Sequence, residues 1–204
     1  MNVLISGKKW FGAEVYSAVS AKVRVVAVSA PIGDRLADRA TSDGVPLIAA
    51  GSLSAASMPD GVDLIVAAHS HDFIGEATRL RARWGGIGYH PSLLPIHRGR
   101  DAVEWAIRMG DRVTGGTVYR LSNHVDGGEV IAQEHVFIRR GDTARALWER
   151  DLGPLGVSML SDAVLRFARD GFVPGDAQDE GLATWEPSIG RPPIRRPDLV
   201  LIGQ

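Results

Sequence analysis

The sequence predicts an α/β protein in which helices cover both faces of an open, mostly parallel β-sheet. Apolar strands alternate with helical segments through the first 110 residues, which is the pattern of a doubly wound sheet. The strand VRVVAVS, residues 23–29, is almost continuously apolar, as a parallel strand covered on both faces should be. A chain of 204 residues that is 45% hydrophobic can also bury one sizeable core. We therefore expect one main domain.

The first half of the chain contains four short strands that produce this pattern. They are predicted at residues 3–7, 23–29, 43–48 and 63–68, the third of them after a turn. A first helix is predicted around residues 13–19, where apolar residues recur at helical spacing, and a second, more polar helix over 34–43. Residues 51–61 are rich in glycine and serine and are predicted to form a loop.

A fifth strand leads into a proline-bracketed loop, in the stretch WGGIGYHPSLLPIHRGR at residues 84–100. Pro91 lacks a backbone donor and restricts the residue before it to extended geometry, so His90 should end the strand. Gly99 then releases the chain, and Asp101 is predicted to cap a helix with an apolar stripe. Because open α/β sheets bind ligands where strands end, we expect chemistry here.

Two further helices are predicted after residue 140. Asp142 or Thr143 can cap the first of them, and Gly153 and Pro154 should interrupt or kink it. The second runs over about residues 155–168 and stops at a glycine.

The C-terminal part of the chain carries no regular pattern. It is irregular from Phe172 onward, and the prolines of RPPIRRPDL, residues 191–199, predict a surface tail. We expect an α/β domain over residues 1–175 and an irregular tail over 176–204.

The composition favours a small-molecule partner. Lysine plus arginine number 23 and aspartate plus glutamate 24, so no strong field favours nucleic acid or an anionic membrane. The absence of cysteine excludes disulfides, thiolate nucleophiles and cysteine zinc sites. No apolar run approaches the ~18 residues of a spanning helix, and no signal peptide is recognisable. We expect a cytoplasmic protein.

A histidine and a carboxylate form the main catalytic candidate. Two β-rich segments, residues 115–121 and 129–138, are separated by the loop SNHVDGG, which can bring Asp126 towards His90. Such a pair suits general acid–base chemistry, because the carboxylate can orient the imidazole and favour its charged form. The alternative is that His90 is a structural histidine in a tight turn.

Other groups of residues in the sequence offer alternatives to this pair. His69 and His71 could join His90 and Asp126 in a metal site, but nothing in the sequence makes their ring nitrogens converge, and no metal is predicted. The glycines near residue 7 do not fit a nucleotide-binding loop. His97, His124 and His135 are predicted to be surface residues. Four basic residues could bind an anionic group of a substrate: Lys8, Lys9, Arg98 and Arg100.

Several motifs together resemble one enzyme family. HPSLLP followed by HRG, then GGTVY and VDGGEVIAQE, is similar to the formyltransferases that use 10-formyltetrahydrofolate. GKKWFGAEVY, DGVPLI, HRGRDAVEW and ATWEPSI resemble more closely the N-terminal hydrolase domain of 10-formyltetrahydrofolate dehydrogenase. The resemblance extends to about residue 189 and implies a Rossmann-like formyltransferase fold.

The resemblance also implies roles for individual residues. The family's catalytic histidine falls on His90 and its catalytic aspartate on Asp126. Most of the transferases carry an asparagine two residues before the histidine, and here that position is Gly88, which has no side-chain donor. The folate pocket is expected to be lined by His69, Ser70, His71, Asp72, Phe73, Gly88 and Val125.

The implied reaction is formyl transfer from 10-formyltetrahydrofolate to an amine of a small-molecule acceptor through a tetrahedral intermediate. Two alternatives stay open at this stage. The chain could hydrolyse 10-formyltetrahydrofolate and release formate, or it could be a folate-binding module without catalysis.

Overall fold

The computed structural model describes residues 1–70 and 72–190. Their central feature is a seven-stranded sheet with the strand order β3-β2-β1-β4-β5-β6-β7. The strands span Asn2–Gly7 (β1), Arg24–Ala30 (β2), Leu47–Ala49 (β3), Leu64–Ala68 (β4), Gly86–His90 (β5), Val113–Arg120 (β6) and Val130–Phe137 (β7). The first five strands are parallel to one another, whereas β6 is antiparallel to both β5 and β7. The predicted mostly parallel sheet is confirmed.

The helices follow the predicted order with small shifts at their ends. They span Lys9–Ser20 (α1), Arg35–Ser42 (α2), Glu76–Arg79 (α3), Ala102–Met109 (α4), Ala144–Leu147 (α5) and Gly153–Asp170 (α6). The short α3 was not predicted. The predicted interruption before α6 is a π-helical turn over Trp148–Leu152, and α6 stops at Gly171, whose φ is +78°. A 3₁₀ turn lies at Glu180–Leu182.

The core is divided between the two faces of the sheet, because side chains alternate along each strand. On one face Val3, Ile5 and Val66 pack with buried residues of α1, α2 and α6. On the other face Leu4 and Ile65 pack against the 51–62 loop and the residues around α3. Both sides of β1 and β4 are therefore covered, which explains their continuous apolar sequence.

Of two residues predicted to cap helices, one does so and the other does not. Thr143 accepts a hydrogen bond from the Ala146 amide at 3.2 Å, as predicted for a capping residue. Asp101 stands at the N-cap position of α4, but its side chain does not cap the helix. That carboxylate accepts the amide of Ile189 at 3.0 Å instead, so the predicted capping interaction is wrong.

The carboxyl ends of β1, β4 and β5 meet at one edge of the sheet. Gly7 is opposite Ala68 in the β1–β4 pairing, and His90 is the last residue of β5, as predicted. The strand order reverses between β1 and β4, which is where open α/β sheets form ligand crevices. In the described part of the chain, no helix is long and apolar enough to cross a membrane. The division into residues 1–175 and 176–204 stays a prediction.

Candidate active site

His90 is buried at the end of β5, and only 5% of its surface is exposed. Its Nε2 lies 2.7 Å from the main-chain carbonyl oxygen of His97. A carbonyl oxygen can only accept, so Nε2 must be the nitrogen that carries the proton. Nδ1 faces Asp126, with 3.5 Å between Nδ1 and Oδ2. A proton on Nδ1, in the imidazolium form, would therefore point towards a carboxylate.

Asp126 is held by donors on both of its oxygens. The Tyr119 hydroxyl donates to Oδ1 at 2.6 Å, and the Gly99 amide donates to Oδ2 at 2.8 Å. The residue has a φ of +53°, a left-handed conformation that aspartate tolerates better than most side chains. Its location in a turn between β6 and β7 thus places the carboxylate beside His90.

Tyr119 is a neutral donor to this carboxylate. Burial raises the pKa of Tyr119 well above 10.0, and the adjacent charge of Asp126 raises it further. The hydroxyl therefore keeps its proton across the physiological range and stabilises Asp126 as an acceptor.

Two adjoining cavities are lined by Asp126, and His90 lines the second of them. The first has a volume of about 350 Å³ and contains Ser70, Asp72, Phe73, Gly88 and Val125 among its lining residues. Tyr119, Ile74 and Leu121 add apolar surface to it. The second has a volume of about 540 Å³ and is lined by Lys8, His69, His90, Arg100 and Asp101 among others. The shared wall consists of Ser70, Tyr89, Val125 and Asp126.

The residues predicted to line a folate pocket are distributed unevenly. Phe73 lies at the mouth of the first cavity and is 73% exposed. The Asp72 carboxylate accepts from the Ser29 hydroxyl and from the Gly51 amide, both at 2.6 Å, so it holds the loop in place. His69, with a φ of +61°, lines the second cavity, and the predicted role of His71 lies outside the described residues.

The four basic residues predicted to bind an anion also separate into groups. Lys8 and the exposed Arg100 line the second cavity, whereas Lys9 is exposed and does not line either cavity. Arg98 is only 4% exposed, and its guanidinium binds the side chains of Gln178 and Glu180 at 2.6 to 3.1 Å. Arg98 is therefore bonded within the protein, and its role in binding a substrate anion stays a prediction.

Two features of the site were missed by sequence reasoning. His97 was predicted to be a surface residue, but it is 4% exposed and lies between Asp111 and Glu186, at 2.8 and 3.0 Å. Residues 176–190 were expected to form part of an irregular tail, and they do lack strands and α-helices, but they pack against the active-site loops. The only available signal was the histidine next to HPSLLP, because its carboxylate partners are distant in sequence.

Across residues 1–70 and 72–190, no group of three or more histidine, aspartate or glutamate side chains is arranged to hold a metal ion. The described site therefore offers acid–base groups, two cavities and backbone donors.

Comparison with known proteins adds independent information. A family model described as formyl transferase matches residues 2–163. The mitochondrial 10-formyltetrahydrofolate dehydrogenase of Mus musculus is 32% identical over 202 residues, which cover 91% of this chain and 22% of that protein. The chain thus spans about a fifth of the length of this relative.

Solved structures share the fold. Phosphoribosylglycinamide formyltransferase from Anaplasma phagocytophilum superposes with a TM-score of 0.71 at 25% identity, covering 92% of this chain and 98% of that one. An N-formyltransferase from Helicobacter canadensis, in complex with folinic acid and dTDP-3-aminofucose, gives a TM-score of 0.76 at 18% identity, covering 90% of this chain and 70% of that one.

Proposed function

The chain belongs to the formyl transferase family, and from that premise we propose that it transfers the formyl group of 10-formyltetrahydrofolate to an amine of a small-molecule acceptor. One observation carries this proposal: two adjoining cavities share Asp126 in their walls, and the second of them is also lined by His90. A reaction between two bound molecules needs such an arrangement, because donor and acceptor must meet at the groups that move protons.

The first cavity suits the formyl donor. Phe73, Ile74 and Leu121 provide apolar surface for a flat ring, and Ser70 and Ser122 add polar groups at its walls. Ligand pockets commonly combine apolar walls with a few polar groups that fix orientation. Gly88 lies in this wall, where the side chains of Leu121 and Tyr119 pack closely against it.

The second cavity suits an acceptor that carries an anionic group. Lys8 and Arg100 provide positive charge at its wall, while His90 and Asp126 lie at its other end. An acceptor bound by its anionic group to these basic side chains could extend its amine towards Asp126. The composition of the cavity thus favours a charged metabolite over a purely apolar amine.

The chemistry follows from the protons that formyl transfer moves. The amine nitrogen attacks the formyl carbon, and the carbonyl oxygen becomes an oxyanion in the tetrahedral intermediate. Protonated His90 stabilises that oxyanion by a charge-assisted hydrogen bond from Nδ1, since Nε2 is engaged by the His97 carbonyl. Asp126 accepts the proton of the attacking amine. The carbon–N10 bond then breaks, and the proton passes to N10 of the departing tetrahydrofolate.

Hydrolysis is the second candidate, and Gly88 favours it. With glycine two residues before the histidine, no side chain at that position donates to the oxyanion or helps to align an amine. Loss of one oxyanion donor typically costs about 10²- to 10³-fold in rate. The likeness to 10-formyltetrahydrofolate dehydrogenase also supports this candidate.

One assay distinguishes these functions. Purified protein is incubated with 10-formyltetrahydrofolate, with and without a panel of primary amines that carry phosphate or carboxylate groups, while tetrahydrofolate and formate are measured. Tetrahydrofolate formation that requires an amine, with no formate, supports transfer. Formate release without an amine supports hydrolysis. Calorimetric titration with a non-reactive folate analogue supplies the control: binding without turnover identifies a binding module, and absence of binding contradicts all three functions.

A further inference from the structure

His97 lies at the centre of a buried cluster of charges next to the active site. Its Nε2 is 2.8 Å from Oδ2 of Asp111, which follows α4, and its Nδ1 is 3.0 Å from Oε1 of Glu186 in the C-terminal segment. The side chains of His97 and Glu186 are 5% and 7% exposed. Nε2 forms a hydrogen bond with Asp111, whereas Nδ1 lies at ion-pair distance from Glu186 without a hydrogen bond. The doubly protonated imidazolium gives both carboxylates a positively charged partner.

The electrostatics of the cluster agree with this geometry. Burial alone would lower the pKa of His97, but the interactions with the carboxylates of Glu186 and Asp111 outweigh it and raise the pKa above its ordinary value of 6.5. His97 is thus a cationic link between two parts of the chain that are distant in sequence.

The main chain of the same residue contacts His90. The His97 carbonyl oxygen accepts the Nε2 proton of His90 at 2.7 Å, and the His97 amide donates to Oγ1 of Thr184 at 2.8 Å. The residue has a φ of +58°, which turns its carbonyl and its side chain in directions that an ordinary strand or helix would not allow. Asp111, Thr184 and Glu186 therefore fix the position of the carbonyl that His90 uses.

The C-terminal segment also holds the second member of the pair. The Gln178 amide group donates to the main-chain oxygens of Asp126 and Gly128, both at 2.7 Å. Buried Arg98 in turn binds Gln178 and Glu180. Residues 178–186 thus contact two loops, one that contains the His97 carbonyl bound by His90 and one that contains Asp126.

We propose that His97 is a positioning residue for His90: held by Asp111 and by residues 184–186, it presents the carbonyl that keeps the proton of neutral His90 on Nε2 and leaves Nδ1 for the reaction. The proposal rests on the proposed function of the His90–Asp126 pair. In this proposal the C-terminal segment helps to align the active site, in addition to packing against the rest of the domain.

The first variant to test is His97→Asn. Asparagine tolerates a left-handed backbone and can still form hydrogen bonds, but it cannot bind two carboxylates as a cation. Glu186→Gln, which keeps the size of the side chain and removes its charge, is a milder second variant. His135→Asn, at an exposed histidine of β7, is the matched control. All variants are made in the full chain.

Two measurements are made on each folded variant: the nitrogen-15 NMR shifts of the His90 ring, which report its tautomer, and the kcat and KM of formyl loss. In the parent and in the control, neutral His90 should carry its proton on Nε2. In both His97→Asn and Glu186→Gln we expect a mixture of His90 tautomers. We expect kcat to fall by about 10²-fold in His97→Asn and by about 10-fold in Glu186→Gln, because small misplacements of reacting groups lower rates by factors of this order. The KM for the folate should change little.

The outcomes separate this proposal from the proposed function. An unchanged Nε2 tautomer and an unchanged kcat in folded His97→Asn would show that His97 only stabilises the fold. If that variant does not fold, the same result with Glu186→Gln overturns the proposal equally. If the parent protein has no formyl turnover, the proposed function fails, while the tautomer measurement still decides whether His97 positions His90.

Discussion

Tyr119 and Asp126 form a hydrogen bond of 2.6 Å in a buried environment, with the phenol as donor and Oδ1 as acceptor. β6 carries Tyr119 opposite Gly88 of β5, so the phenol reaches the carboxylate from the strand next to the one that carries His90. The second oxygen of Asp126 faces both Gly99 and His90. One carboxylate oxygen is therefore fixed by the tyrosine, and the other lies where the reaction is proposed to occur.

Asp126→Asn is expected to preserve the fold and much of the folate affinity while it lowers turnover. The amide oxygen can still accept the Gly99 amide, and the amide nitrogen can donate to the Tyr119 hydroxyl, which is able to accept. Asparagine also tolerates the left-handed φ at this position. However, it cannot accept the proton of the nucleophile or stabilise imidazolium. We expect kcat to fall by about 10²- to 10⁴-fold.

The measurement is kcat of Asp126→Asn on protein shown to be folded and to bind a folate analogue. Asp162→Asn, on the exposed side of α6, is the control. A kcat within a few-fold of the parent would mean that Asp126 is structural, and His90 would then be a buried histidine in a tight turn.

Tyr119→Phe should lower the rate of the reaction. The phenol donates to Oδ1 of Asp126, so its removal should leave the carboxylate less well placed to accept a proton. Loss of a hydrogen bond to a charged group, about 1.5–3 kcal/mol, predicts a decrease in kcat/KM of about 10- to 100-fold.

The chain provides a matched control for this substitution. Tyr16 is also buried and donates to Asp43 at 2.8 Å, and neither residue lines either of the two cavities. Burial, followed by the interaction with Asp43, raises the pKa of Tyr16 to about 12. Tyr16→Phe should lower stability without lowering kcat/KM of the folded protein. An equal kcat/KM in the parent and in folded Tyr119→Phe would contradict the role given to Tyr119.

The fold was predictable because its signals are local. Continuous apolar strands and helical spacing identify the strands and helices, and Pro91 places His90 at the end of β5. The proximity of His90 and Asp126 followed from two loops at one edge of the sheet. The burial of His97 and Arg98 was not predictable, because their partners Glu186 and Gln178 are distant in sequence and contact them only in the folded domain. A buried ion pair between distant segments has no signal in local sequence.

Arg98 and Arg100 should respond differently to substitution, although the same role in binding an anionic group is predicted for both from the sequence. Arg100 is exposed at the second cavity, so Arg100→Gln should raise the KM for an anionic amine by about tenfold, as expected for one charged interaction, and leave the KM for the folate unchanged. Arg98→Lys should instead lower the melting temperature, because lysine cannot reproduce the paired bonds to Gln178 and Glu180. A larger acceptor KM in Arg98→Lys than in Arg100→Gln would reverse these assignments.

The His97 cluster predicts a specific dependence of stability on pH. The pKa of His97 is raised in the folded protein above 6.5, so its contribution to stability is fully present below that pH and is lost as the pH rises through the folded value. Glu186→Gln removes one carboxylate and should reduce this contribution. The difference in unfolding free energy between parent and variant should thus be largest near pH 6, about 1–3 kcal/mol, and shrink towards pH 9.

Urea unfolding across this range measures the difference. Glu104→Gln serves as the control because Glu104 pairs with Arg108 on the surface of α4, where a pair contributes about 0.3–0.5 kcal/mol and no histidine takes part. A parent–variant difference for Glu186→Gln that stays constant with pH would show that His97 is not the titrating cation of the cluster.

Gly88→Asn tests whether the missing side-chain donor limits transfer. Gly88 does not adopt a left-handed φ, so its backbone can accept another residue. A Cβ there would lie 3.2 Å from Cδ2 of Leu121 and 3.3 Å from the Tyr119 ring, so these neighbours must move by a few tenths of an ångström. Such overpacking costs about 1–3 kcal/mol. The double variant Gly88→Asn with Leu121→Ala should relieve this overpacking, because the side chain at position 121 is then shorter.

Gly88 lines the first cavity, so an asparagine amide at this position is expected to face the formyl donor. One added oxyanion donor could raise kcat for transfer by up to about 10²-fold if its geometry is correct. Gly88→Ala combined with Leu121→Ala fills similar space without a donor and is the control. If both double variants have the same kcat, the donor is not limiting, and a backbone amide or a bound water already stabilises the oxyanion. If only the asparagine variant gains transfer to amines while its rate of formate release stays constant, Gly88 is the residue that shifts the balance between hydrolysis and transfer.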